Sequence, residues 1–296
     1  MNKFVLILFI LVGIGGVNAQ ESEQVVQEWT DTLNVSLLFN QSAFNAEWAG
    51  GGTSNIAADA ILSYQFNYKS DDWSWDNSLF ANYGITKNED AKYTRKTSDR
   101  LEFNSILGRQ ISETEWYYSF FTNFKTQFTK GYEYSEDAVT GEETRTEVTH
   151  FFSPAYLQIG PGFLWKKSDN LKVNIAPATS RFIFVDKDFT TTPGYVDGAY
   201  FGIDQGESIR YEFGASVSAY SKYELIKNVN IEHILNLYSN YLDNPQNIDI
   251  DYILNVNMTI NKYLSTNVIF QAIYDDNTVG AFQVREVFGL AVNYNY

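Results

Sequence analysis

The chain has no cysteine, two histidines and five prolines in 296 residues. Without cysteine there is no disulfide, thiol nucleophile or thiolate metal site. His150 and His233 are too few to build an imidazole-based centre, and neither a metal nor a cofactor is expected. Beyond the first nineteen residues no stretch approaches the roughly 18–20 apolar residues that a membrane helix requires. Basic residues are also scarce, 21 Lys and Arg against 36 Asp and Glu, for a formal net charge of −15. That balance excludes nucleic acid as a partner, because phosphate binding needs a basic stripe. Aromatics are abundant, with 21 Tyr, 22 Phe and 6 Trp. Tyr and Trp pair an apolar body with a polar tip and favour a membrane–water boundary.

The first nineteen residues read as a secretory signal peptide. Lys3 supplies the positive start, residues 4–12 the apolar run, and Val17-Asn18-Ala19 the small-residue cleavage site. The absence of a Cys after that site excludes a lipoprotein anchor. The chain then divides into a periplasmic N-terminal tail, 20–31, and a single unit over 32–296.

That unit alternates with period two, the signal of strands whose two faces differ. In residues 282–296 the even positions Phe282, Val284, Glu286, Phe288, Leu290, Val292, Tyr294 and Tyr296 oppose Gln283, Arg285, Val287, Gly289, Ala291, Asn293 and Asn295. Twelve such segments are predicted, at 32–40, 54–68, 72–86, 98–111, 115–128, 154–167, 170–178, 208–223, 228–241, 248–262, 264–275 and 282–296. The seventh is short and meets Pro177. Bulky apolar residues on one face of nearly every strand, with polar residues on the other, predict an all-β transmembrane antiparallel up-and-down barrel of about twelve strands. A soluble sandwich also alternates, but its apolar faces meet in one core and its loops need not alternate in length.

The connections alternate between short and long. The long ones are 41–53, 87–97, 129–153, 179–207, 242–247 and 276–281. Outer-membrane barrels carry short periplasmic turns and longer outer loops, so both termini are expected in the periplasm. Trp73, Trp75, Trp116, Tyr118 and Trp165 lie near the predicted short turns on the outward parity, as an interfacial girdle would. The expected partners are outer-membrane lipid, barrel-assembly machinery during insertion and a possible small solute. Oligomeric state is not legible.

Five stretches carry a resemblance: 44–52 (FNAEWAGGG), 73–78 (WSWDNS), 95–101 (RKTSDRL), 121–128 (FTNFKTQF) and 241–249 (YLDNPQNID). They resemble an uncharacterised family of Bacteroidota envelope proteins, domain of unknown function 3078. The resemblance spans nearly the whole mature chain. It implies an outer-membrane barrel and brings no reaction, ligand or catalytic residue.

The inward parity collects charges of both signs. Asp59, Asp76, Arg100, Glu102, Lys125, Arg210, Glu212, Glu232, Asp249, Asp251 and Arg285 are the candidate lumen charges, with Lys166, Lys172 and Lys222 on the same parity. Seven acids against seven bases read as a salt-bridged lumen, narrow or blocked, whereas an ion-selective pore shows a bias of sign. Trp48, Gly50, Gly51 and Gly52 form a candidate loop or mouth motif, where glycines permit close approach and Trp48 could stack on a sugar or pack in the mouth. The acidic stretch 133–147 lacks a defined cation-binding loop and reads as solvated. Outer-membrane phospholipases of similar strand number use Ser, His and Asn. Here Ser153 and His150 sit in or beside a loop, and Ser239 lies six residues from His233, so no enzyme activity is expected. Two functions remain, a barrel that binds or passes a small solute and a structural or partner-binding envelope protein with a plugged lumen.

Overall fold

The computed structural model describes residues 28–45 and 53–295. Its strands are β1 (Glu28–Ser42), β2 (Asn55–Lys69), β3 (Trp73–Asn88), β4 (Arg95–Gln110), β5 (Trp116–Thr126), β6 (Gly131–Glu136), β7 (Glu143–Thr149), β8 (Ala155–Ser168), β9 (Leu171–Phe184), β10 (Ile209–Ile226), β11 (Val229–Asn240), β12 (Asp249–Thr259), β13 (Leu264–Tyr274) and β14 (Gln283–Asn295). A single helical turn, α1 (Lys187–Thr190), lies between β9 and β10. Twelve strands close into one barrel in the order β1-β14-β13-β12-β11-β10-β9-β8-β5-β4-β3-β2, while β6 and β7 form a separate hairpin. Each barrel strand is antiparallel to its neighbours, and closure leaves no free sheet edge except at the ends. Among the described residues the closing seam is the shortest of the barrel's ladders, pairing Asn34–Phe39 of β1 with Leu290–Asn295 of β14.

Every predicted strand is present. The first begins earlier than expected, at Glu28, so part of the presumed tail, 28–31, belongs to the barrel wall and pairs with β2. The 129–153 connection contains the β6–β7 hairpin, which sequence periodicity did not reveal because its strands are short and, Tyr132, Tyr134 and Val148 apart, polar.

The distribution of burial is that of a membrane barrel. Large apolar side chains face outward, among them Trp29, Phe39, Phe120, Val284, Phe288 and Leu290, each about half exposed or more. The buried set includes Asp59, Asp76, Asn82, Glu102, Asn174, Arg181, Glu212 and Gln271. No helix among the described residues is long and apolar enough to cross a membrane, and the strands supply the span. Aromatics ring both rims. At the short-turn end Trp29 lies 5.1 Å from Tyr68 and 5.8 Å from Trp75, and Tyr118 lies 5.8 Å from Phe163. At the long-loop end Phe182 lies 5.2 Å from Tyr211 and Tyr274 5.3 Å from Phe282. Trp73 and Trp116 are exposed on the outward parity, and Trp165 is half-buried.

The seventh barrel strand, β9, departs most from expectation. It does not stop at 178 but runs to Phe184, with a register shift opposite Gly214 and Ser216 of β10 and opposite Ile159 and Phe163 of β8. Pro177 lacks the N–H that a regular ladder needs, and a bulge absorbs it. Gly160 and Gly162 of β8 let the bulged backbone approach. A Cβ on Gly160 would sit 2.6 Å from the Ala178 carbonyl oxygen, and one on Gly162 would sit 2.5 Å from that of Ile175. The extra residue inverts the parity, so Ala176 and then Thr179, Arg181 and Ile183 are the buried positions.

Candidate functional site

The lumen is crossed by three levels of polar contacts. Near the short turns, Asp76 of β3 takes Lys166 of β8 at 2.7 Å and Lys172 of β9 at 2.8 Å. Ser119 donates to Asn174 at 2.6 Å, and Glu232 accepts from Tyr220 at 2.8 Å and from Asn255 at 2.7 Å.

At mid-height Arg100 of β4 pairs with Glu102 on its own strand and with Asp251 of β12 at 3.5 Å. Strands β4 and β12 are six steps apart around a ring of twelve, so this contact joins opposite walls. Lys125 of β5 reaches the same Asp251 at 3.3 Å, and Gln271 donates to it at 2.8 Å. Arg285 donates to Asn82 at 3.3 Å, and Ser98 donates to Asp59 at 2.5 Å. Side chains on inner positions of a twelve-stranded barrel are long enough to meet across it, which is why the lumen closes here.

Near the long loops Arg181 pairs with Asp249, with Glu212 at 3.5 Å and with Asp275 at 3.6 Å. Its guanidinium lies 4.7 Å from the Tyr238 ring centroid and 5.3 Å from that of Tyr156. Arg210 bonds Glu212 at 2.9 Å, Asp243 at 3.4 Å and the Gly202 carbonyl at 2.9 Å. All eleven candidate lumen charges therefore lie on inner positions. The inner-facing charges that the sequence reading missed are Arg181 and Asp275. The alternation Arg181-Phe182-Ile183-Phe184 beyond Pro177 was the available signal. Lys222, assigned to the same parity, stands exposed at the short-turn end. Trp48, Gly50, Gly51 and Gly52 lie outside the described residues.

Between the middle level and the long loops is a cavity of about 510 Å³. Tyr156, Arg181, Tyr238 and Asp275 line its wall, and Tyr200 and Phe201 line it from the 185–208 loop. That loop is anchored by burial of Ile203 against Ile183 and Val185. The Tyr200 hydroxyl also donates to the Val148 carbonyl at 2.7 Å, and its ring packs 4.9 Å from Phe189. Burial pushes the Tyr200 phenol up to about 12, so it stays a donor well above neutral pH. The acidic hairpin is largely exposed, and two of its carboxylates take cations of the preceding loop and strand: Glu142 takes Lys92 at 3.1 Å and Glu143 takes Arg95 at 2.5 Å.

Neither histidine has the setting of a catalytic base. His150 has Nδ1 2.9 Å from Glu147 and Nε2 3.3 Å from Asp186, so both ring nitrogens are engaged by carboxylates. The Ser153 hydroxyl instead accepts the Asp186 backbone N–H at 2.9 Å. His233 lies on the outward parity between the hydroxyls of Tyr252, at 2.9 Å, and Tyr223, at 3.4 Å.

Comparison with solved structures returns membrane barrels at very low identity. The chain is similar to the translocator domain of the autotransporter NalP from Neisseria meningitidis (7% identity, 90% of this chain and 88% of that one, TM-score 0.40). It is similar to the beta domain of the Bordetella autotransporter BrkA (8%, 90% and 98%, TM-score 0.32). A third is the outer membrane channel DcaP of Acinetobacter baumannii (8%, 91% and 97%, TM-score 0.31). No curated protein matches. Residues 39–132 match the model of the family described as protein of unknown function (DUF3078), on a chain whose twelve barrel strands form one closed antiparallel β-barrel.

Proposed function

We propose that the protein is an outer-membrane barrel with a closed lumen, which holds a small solute in the cavity at its long-loop end and does not pass it through. The observation that carries this reading is the Arg100–Asp251 contact between opposite walls, reinforced by Lys125 and Gln271. A water-filled pore needs an unobstructed path, and here a mid-height network of charged side chains occupies it. The cavity above that network is within the range of small-molecule sites, about 300–1,000 Å³, and mixes aromatic walls with a few polar groups.

The long loops face outward and both termini lie in the periplasm in this reading. It is supported by the contrast between turns such as 70–72 and loops such as 185–208. Lipid surrounds the apolar exterior, and assembly machinery acts only during insertion. The protein is not an enzyme in this proposal, in keeping with the carboxylates that engage both nitrogens of His150. Planar-bilayer recording of the purified barrel is the test. The expected trace is flat at physiological salt, and a steady large conductance would overturn the closed-lumen reading. A purely structural plugged barrel shares the flat trace and is separated by solute binding.

A further inference from the structure

The charges inside the barrel are not balanced level by level. At mid-height Arg100, Lys125 and Arg285 face Glu102, Asp251 and Asp59, three of each sign. Near the long loops Arg181 and Arg210 face Glu212, Asp243, Asp249 and Asp275. Asp276 adds a further acid, since carboxylate oxygens of Asp249, Asp275 and Asp276 lie within 4.8 Å of one another. Five carboxylates thus surround two guanidiniums. Like charges this close repel strongly in a partly buried site, and a further cation would relieve them.

The same place already holds one organic cation. Arg181 stacks over Tyr238 and Tyr156 while touching three carboxylates, which is the combination that recognises organic cations in aromatic cages. Tyr238 is only 4% exposed, lines the cavity, and its hydroxyl has no hydrogen-bond partner among the described residues. A buried hydroxyl without a partner is costly and marks a place where a polar group is missing. The cavity is far larger than a bare metal ion requires, and Tyr200 and Phe201 add aromatic surface to its lining.

We propose that this cavity binds an organic ammonium cation. The charged nitrogen sits by the Asp249, Asp275 and Asp276 carboxylates and donates to the Tyr238 hydroxyl, while the organic body packs against Tyr156, Tyr200 and Phe201. An anion of the same shape would meet the surplus of carboxylates. The inference rests on the solute-holding reading and adds the ligand class to it.

Isothermal titration of the full barrel in detergent with three indole probes of similar size tests it: tryptamine (cation), indole-3-ethanol (neutral) and indole-3-acetate (anion). The expected result is saturable tryptamine binding, at least tenfold weaker binding of the alcohol and none of the acetate. Asp275→Asn should weaken tryptamine at least fivefold, with far-UV circular dichroism as the check on folding. Equal binding of amine and alcohol would overturn the cation assignment while leaving solute binding intact. Failure of all three probes to bind would overturn both. Calcium that binds where tryptamine does not would assign the carboxylates to a metal ion and overturn the proposal, and the ligand series on the unmutated protein decides the matter even if the variant fails to fold.

Discussion

Removing the Asp251 carboxylate is the most searching perturbation of the closed lumen. It is 9% exposed and answers Arg100 from the opposite wall, Lys125 from β5 and Gln271 from β13. Asp251→Ala leaves Lys125 with no other ion-pair partner among the described residues, and Arg100 with Glu102 alone. Breaking a buried pair from one side costs about 3–5 kcal/mol, because a charge is left uncompensated. Glu102 shares that burden, so the lower end, about 3 kcal/mol, is expected. With its far partner gone, Arg100 folds back toward Glu102 on its own strand and frees the β12 side of the lumen. Urea unfolding in lipid vesicles should therefore show the stability loss, and planar bilayers should show a new leak. Arg100→Met and Lys125→Met combined with Glu102→Gln and Asp251→Leu removes all four charges at similar volume and should recover most of the stability, since apolar replacements of a whole buried network are often neutral or better. A loss below about 1 kcal/mol, or an unchanged flat conductance in Asp251→Ala, would refute the cross-lumen tie as the closing element.

Other outcomes follow from the same geometry. Cysteine labelling of intact cells should succeed at Thr140, on the β6–β7 hairpin, and fail at Ser70 in a short turn; the reverse would invert the proposed orientation. Leu254→Arg on the outward face should cost about 2–4 kcal/mol near mid-membrane, whereas Asn255→Arg on the lumen face should cost clearly less; equal losses in vesicle unfolding would refute the register. Glu147 is held below the usual glutamate range by its hydrogen bond to Lys130 and then by His150. Because its folded value is depressed, its contribution is present above the ordinary 4.5 and is lost as pH falls through the lower folded value. A nitroxide at Thr140 should therefore gain mobility between pH 5 and pH 3, in steps of about one unit, and constant mobility would discount this anchor. Gly160→Ala should place a Cβ against the Ala178 carbonyl and disturb the β9 bulge, costing roughly 1–3 kcal/mol as overpacking does; an unperturbed unfolding midpoint would show that the bulge can shift.

The strands were legible because period two is a local property. In β2, Ile56, Ala58, Ala60, Leu62, Tyr64 and Phe66 face one way whatever the neighbours are, and the structure pairs that whole strand in register with β1 and β3. The site was less legible at β9. Pro177 signals an end when read alone, and only the glycines of β8, brought alongside by the barrel, show that the strand can bulge and continue. Arg181 was therefore assigned to a loop, although it is the most connected cation near the long loops. The β6–β7 hairpin was hidden for a different reason. Many of its ties run to Lys92, Tyr93 and Arg95, about forty to fifty residues upstream, and a local pattern does not show them.

The sequence by itself determined the number of barrel strands, the alternation of loop lengths and the inward parity of the charges named on those strands, Lys222 apart. All of these follow from side chains alternating along an extended backbone, which needs no knowledge of partners. Tertiary structure decided which inward charges meet. Arg100 and Asp251 are far apart in sequence, and Asp249, Asp251 and Asp275 lie on the same side of the barrel, yet Asp251 answers Arg100 and Lys125 whereas Asp249 and Asp275 answer Arg181. Those pairings depend on barrel closure and on the one-residue bulge that turns Arg181 inward. The total of charges is fixed by composition, but their balance at each height exists only once the ring has closed.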